Sequence, residues 1–308
     1  MFISSANSRP GGGFSGAGTV PGGARIARFA ALAAIVCLLT TGCSLTRIGY
    51  DMAPTLALWR IARYVTLDAD QEALVRRHLD SIHAWHRTTQ LTRYARLIAD
   101  VGDAVHARIE AATIGRWRAR AREFWPPLAD RMAPALAELA PRLSAAQIEE
   151  IRRALEAENR EMRERHGGAA DAVRRHRFER FSERIGGLVG DLTPAQHRTL
   201  RDRMADLVTG EVDWMAERIA RQQRVLSYLD RARRGELSGE AATTAARRLL
   251  AGLFEVADPD RRRASEAVDA RTNGVYAELL ASATEDQRRT LQDRLRGWRA
   301  DAEHLATN

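Results

Sequence analysis

Four segments of this chain start a helix in the same way. They read LDADQEALVRRHL (67–79), LSAAQIEEIRRAL (143–155), LTPAQHRTLRDRM (192–204) and ATEDQRRTLQDRL (283–295). Each has Leu or Ala, then Asp, Ser or Thr, then two residues and a glutamine. Apolar side chains follow four and eight positions after the glutamine. This is a capping box, in which the cap side chain takes an orphan amide of the first turn and the N3 side chain reaches back to the cap amide. Asp68, Ser144, Thr193 and Thr284 are the expected caps, with Gln71, Gln147, Gln196 and Gln287 as their N3 partners. Pro194 suits the first position of the third copy, because its missing N–H loses nothing there. The pairs Val75/Leu79, Ile151/Leu155, Leu200/Met204 and Leu291/Leu295 each lie on one helical stripe. Only the second copy offers a hydrophobic staple, Leu143 with Ile148. The copies are unevenly spaced, so the pattern reads as one local solution reused at four helix starts, not a solenoid of fixed period.

Between the boxes the periodicity stays helical. Val75, Leu79, Ile82, His86, Tyr94, Leu97, Ile98, Val101 and Val105 keep to three- and four-residue steps along one face. Thr113 is the expected cap of the next helix, which carries Trp117, Phe124 and Trp125 before Pro126-Pro127. Further breaks are expected at Pro141, Gly167-Gly168, Gly186 to Gly190, Gly235 to Ser238 and Asp258-Pro259, and Pro134 reads as a helix start or a kink. No segment alternates with period two, and hairpin turns are missing. Aromatic residues make up only 6% of the chain, while Ala, Leu and Arg, all strong helix formers, dominate. The expectation is an all-α fold, a multi-helix bundle of roughly seven to nine helices.

The N-terminal region has a different character. Residues 1–24 are rich in Gly and Ser. Arg25 and Arg28 then precede the apolar run FAALAAIVCLL (29–39), which is too short for a permanent bilayer span but has the length of a signal-peptide core. Leu39-Thr40-Thr41-Gly42-Cys43 follows and resembles a bacterial lipobox, with Thr40 where leucine is usual. That resemblance implies cleavage between Gly42 and Cys43 and lipid attachment at the Cys43 sulfur. With two or three acyl chains the anchor is stable. Ser44, in place of Asp, points by resemblance to the outer membrane, facing the periplasm. The expected organisation is a low-complexity start and signal peptide (1–42), a lipidated N-terminus with a short tether (43–54), and a helical domain (55–308). Cys37 falls in the discarded segment, so thiol catalysis and disulfides are not expected.

The net charge of +8 would ordinarily raise nucleic acid as a partner. The chain has no lysine, however, and its arginines are interspersed with acids, as in RRALEAENREMRER (152–165). With export added, nucleic acid is not an expected partner.

Two resemblances attach to particular residues. Tyr50, Leu58-Trp59, Tyr64, Leu67 to Gln71, Trp85-His86-Arg87, Leu91 and Tyr94-Ala95 form the first group. Glu158-Asn159, Arg177 to Arg180, Gly190 to Gln196, the arginine-rich 221–234 region and Gln287 to Leu305 continue it. Together they resemble an uncharacterised family of proteobacterial all-helical lipoproteins, which departs from this chain at Leu188-Val189, where an aromatic is expected. That family brings no activity with it. The Leu192 to Gln196 box and its variants are similar to the LTxxQ motif of periplasmic stress chaperones of the Spy and CpxP type, which implies unfolded clients as partners.

Chemistry-bearing patterns are sparse. His83 and His86 lie three apart on a helix, as metal ligands can, but His86 falls on the apolar stripe beside Trp85 and reads as a hydrogen-bonded structural histidine. Arg87 is expected to pair with Asp80 or Asp100. Glu149/Glu150 and Glu156/Glu158 read as solvated faces, and Arg221 to Arg224 as a solvated helix end or a lipid-headgroup contact. No nucleophile elbow, phosphate loop or haem motif is present. The expectation is a protein without enzymatic activity or cofactor, acting at the membrane on other envelope proteins or unfolded clients.

Overall fold

The computed structural model describes residues 45–166, 170–207, 214–256 and 258–307. From Thr46 onward the chain forms one compact unit. Among the described residues there is no strand. The helices are α1 (Leu45–Asp51), α2 (Ala53–Ala62), α3 (Ala69–Thr89), α4 (Leu91–Ala104), α5 (Ala111–Arg122), α6 (Trp125–Leu139) and α7 (Ala145–His166). They continue with α8 (Ala170–Val189), α9 (Pro194–Leu207), α10 (Trp214–Arg233), α11 (Gly239–Ala251), α12 (Pro259–Ala281) and α13 (Glu285–Thr307). Short 3-10 turns follow α6 (Ala140–Arg142) and α11 (Gly252–Phe254).

The fold is all-α, with more helices than the seven to nine expected. The extra break at the end of the long third helix lacks a proline or glycine signal. The face running from Val75 to Val105 is split at Gln90, which caps α3 and α4 at once from a helical conformation (φ −97°, ψ −37°) and is buried. At the next helix, Glu110 and not Thr113 is the N-cap residue. Pro126 and Pro127 open α6 rather than end its predecessor, and Pro134 lies inside α6. Gly186 and Gly187 continue α8, and the chain turns only at Gly190, where φ is +89°. Of the 43–54 segment expected as a tether, the described residues 45–54 are helical apart from a turn at Met52.

All four boxes make their reciprocal bonds. Gln71 N donates to Asp68 Oδ1 at 2.9 Å, and Asp68 N to Gln71 Oε1 at 3.1 Å. Ser144/Gln147, Thr193/Gln196 and Thr284/Gln287 repeat the arrangement at 2.9–3.2 Å. The glutamines also meet in pairs. Gln71 bonds Gln147, and Gln196 bonds Gln287. The boxes of each pair bracket four helices, α3–α6 in one case and α9–α12 in the other.

The helix pairings follow the same two-part plan. Helices α2 with α3, α3 with α6 and α4 with α5 match α8 with α9, α9 with α12 and α10 with α11. Across the halves, α4 packs on α13 as α10 packs on α7, and α5 on α12 as α11 on α6. Each half therefore lends two helices to the other. One core gathers Ala129, Ala133, Leu143 and Ile148 with Leu226, Leu229 and Ala246. The other gathers Ile185, Leu200, Val275 and Leu291 with Val105 and the end of α4. Fully burying a side chain of leucine size contributes roughly 1.5–3 kcal/mol, so both cores depend on the exchange.

Candidate functional site

Trp85, His86 and Arg87 sit near the end of α3, and α1 lies against His86 and Arg87. Tyr50 Oη is 2.9 Å from His86 Nδ1, and His86 Nε2 is 3.0 Å from Tyr94 Oη. His83 Nε2 is 3.0 Å from the Tyr50 carbonyl oxygen, which can only accept, so that nitrogen carries the proton. Both ring nitrogens of His86 are thus occupied by tyrosine hydroxyls. Burial, and then the neighbouring His83, hold the His86 pKa below the ordinary histidine value. Burial pushes Tyr50 up to about 12, against the lowering charge of Arg87. Arg87 pairs with Asp51, not with Asp80 or Asp100, because α1 brings Asp51 over the end of α3; Asp100 is taken by Arg120. Trp85 lies under the Arg131 guanidinium, 5.4 Å from its ring centre. Arg47 adds a further bond from α1, to Asp301 of α13 at 2.6 Å. These residues form a clamp that fixes α1 to the bundle.

A second polar group lies where α2, α7 and α10 meet. Tyr64 donates to Glu158 at 2.7 Å, Arg218 donates to Glu158 and Asn159 at 2.8 Å, and Arg60 bonds Tyr64 and Glu158. Asn159 and Gln222 bond each other through their amides. Burial raises the Glu158 pKa, but the hydrogen bonds of Tyr64 and Arg218 and the charges of Arg60 and Arg218 outweigh it and leave the carboxyl below its usual range. Glu158 is therefore not on a solvated face. Its neighbour on the same helix, Glu150, accepts from Thr66 N and Oγ1.

The two-part plan gives this knot a counterpart of opposite character. Arg60 and Tyr64 stand eleven and seven residues before Gln71, as Ile185 and Val189 stand before Gln196. Glu158 stands eleven residues after Gln147, as Trp298 does after Gln287. Ile185, Val189 and Trp298 line an apolar cavity of about 460 Å³ between α4, α5, α8, α12 and α13, together with Val101, Trp117 and Tyr276. Arg118 and Arg184 are on its wall. Arg118 is paired with Asp269 at 2.6 Å and Asn273 at 2.7 Å, whereas Arg184 makes no ion pair among the described residues.

The exchange of character also runs the other way. Asp269 and Asn273 stand eighteen and fourteen residues before Gln287, and the same places before Gln147 hold Ala129 and Ala133. Arg118 is the eighth residue of α5, and Ala246 the eighth of α11. One crossing is held by an ion pair and the other by three fully buried alanines.

Gly42 and Cys43 lie outside the described residues. Among the described residues no group of three or more His, Cys, Asp or Glu is placed to hold a metal ion, and no helix is long and apolar enough to cross a membrane. A family model described as a family of unknown function, DUF6279, matches residues 63–241. No curated protein and no solved structure matches the chain.

Proposed function

We propose that this chain, which belongs to the DUF6279 family, is a lipid-anchored bacterial envelope protein that acts by binding rather than by catalysis. The observation that carries this reading is the clamp. The helix that begins two residues after Cys43 is fastened to the bundle through Tyr50, Asp51 and Arg47. A lipid on Cys43 then holds a rigid bundle at the bilayer, outer membrane by the Ser44 resemblance, where a loose tether would let it range. The test is growth of a proteobacterial host expressing the full chain with an alkyne fatty acid, followed by membrane fractionation. Wild type takes up label and sediments with outer membrane, and Cys43→Ala loses both. A cleaved, unlabelled and freely soluble wild type would reject the reading.

A second reading, binding of unfolded clients in the manner of the LTxxQ chaperones, has the apolar cavity and the uncompensated Arg184 in its favour. An apolar pocket of this size with a few polar groups is the usual form of a ligand site. Suppression of aggregation of a denatured client by wild type, reduced in the cavity-filling variant Val101→Trp, would support it. No suppression by wild type would sink it.

A further inference from the structure

We propose that α1 and α2 form a bilayer-contacting surface, in which Ile48, Met52, Leu56 and Trp59 lie in the headgroup region beside the lipid on Cys43. The inference rests on the anchored reading above and deepens it.

Six large apolar side chains are exposed among the described residues, and four of them are these, at 49%, 48%, 47% and 65%. Their spacing of four, four and three residues puts them on one helical face. The face is continuous across the junction of the two helices, because Met52 N bonds Ile48 O at 3.1 Å and Leu56 N bonds Met52 O at 2.9 Å. Arg47 and Tyr50 on the other side of α1, Asp51 at its flank and Tyr64 just after α2 hold the two helices to the bundle. The stripe therefore cannot turn inward to bury itself.

Helix α2 makes the same point by composition. Ala53, Leu56, Ala57, Leu58, Trp59, Ile61 and Ala62 surround its axis, yet no residue of it is buried. A helix apolar all round normally sits in a core or in lipid. Tryptophan is the side chain most at home between hydrocarbon and headgroups.

Charge and reach single out a bilayer as the occupant. Between Cys43 and Leu67 the only acid is Asp51, and it is turned to Arg87. Arg63 follows the stripe with no carboxylate partner among the described residues, which suits an anionic headgroup. Ile48 lies five residues after Cys43, so a fully extended chain separates it from the anchor by at most about 18 Å. Acyl chains at Cys43 thus bring this face, among all the faces of the bundle, to the membrane.

The experiment uses the mature protein in vesicles of phosphatidylethanolamine and phosphatidylglycerol, with an environment-sensitive fluorophore on Leu56→Cys or on the control Glu240→Cys. Intact mass reports acylation separately, so failure of the anchor and failure of the surface are read apart. Expected is quenching by brominated lipid and a blue shift at position 56 but not at 240. Replacing Ile48, Met52 and Trp59 by serine in the labelled chain should weaken vesicle association of the unacylated form, made with Cys43→Ser so that position 56 carries the label alone, by roughly tenfold or more, with the far-ultraviolet spectrum unchanged. A label at 56 that stays in water on vesicles, with or without acylation, overturns the proposal. So does shielding that rises with protein concentration in the absence of lipid, which would assign the stripe to a second copy of the chain.

Discussion

The side-chain amides of Gln196 and Gln287 donate to each other's oxygens at 2.9 Å in both directions, inside the bundle and with neither residue more than 5% exposed. Each amide nitrogen also reaches a backbone carbonyl beside its partner's box, Gln196 to Ser282 and Gln287 to Asp191. Gln71 and Gln147 do the same with the carbonyls of Arg142 and Thr66. A capping box ordinarily closes one helix. Here it also joins two helix starts that are 76 or 91 residues apart.

Replacing Gln196 by alanine therefore strands buried groups on both helices. The expected loss is about 1–3 kcal/mol in urea unfolding, the usual cost of unsatisfied buried polar atoms. In the double variant Gln196→Ala/Gln287→Ala the losses should fail to add by about 0.5–3 kcal/mol. Strict additivity would show that the two amides act separately.

The alanine crossing of α6 on α11 admits no larger side chain. Ala246→Leu is expected to cost about 1–3 kcal/mol by overpacking against the Ala129 and Ala133 face. Ala241→Leu, five residues earlier and exposed, should stay within about 0.5 kcal/mol. Thermal unfolding of the two variants side by side decides this.

The clamp should weaken in acid. The folded His86 has its pKa below the unfolded value, so the neutral ring is favoured by the fold. Its contribution is present above about pH 6.5 and is lost as pH falls through the lower, folded value. Hydrogen exchange of α1 should accelerate between neutral pH and pH 5 after correction for intrinsic rates. In His86→Phe the rate should already be high at neutral pH and change little on acidification. An α1 equally protected at both pH values in wild type would refute the assignment.

Glu158 has the same dependence at a lower pH. Its folded pKa lies below the usual carboxylate value, so its stabilisation is complete above that value and disappears as pH falls through the folded one. Glu158→Gln should cost about 1 kcal/mol at pH 7, since the bonds from Tyr64 and Arg218 lose their charged acceptor. The variant's stability should then fall less steeply below pH 5 than that of wild type.

The helical class and the box chemistry were readable because both are local. Cap, proline and i, i+4 spacing act within one turn and leave their mark in adjacent letters. What the glutamines do after capping was not readable, because the Gln71–Gln147 and Gln196–Gln287 bonds depend on which helix starts meet in space. Gln90 shows the limit for boundaries: a helix can be broken by a residue that remains helical. Tyr50 and Asp51 fall in the segment that reads as a tether, although Tyr50 is among the residues that carry the family resemblance. Glu158 looked like one more acid in a charged run. Its neighbours Arg60, Tyr64 and Arg218 come from helices that no sequence window joins to it. The signal in the sequence is the equal distance of Glu158 and Trp298 from Gln147 and Gln287, which has meaning once the four boxes form two pairs.

The lending of helices between the halves fixes where this chain can be cut. Residues 63–241, the span the family model covers, end three residues into α11 and omit α12 and α13. A fragment with those bounds keeps α4, α8 and α9 but loses Val275, Leu279, Leu291 and Leu295, the side chains that close the second core over them. It also leaves Gln196 without Gln287 and α6 without most of α11. The family span is thus not an autonomous folding unit. Expressed alone, it should expose apolar surface and aggregate, while the chain from Thr46 onward should unfold as one cooperative body.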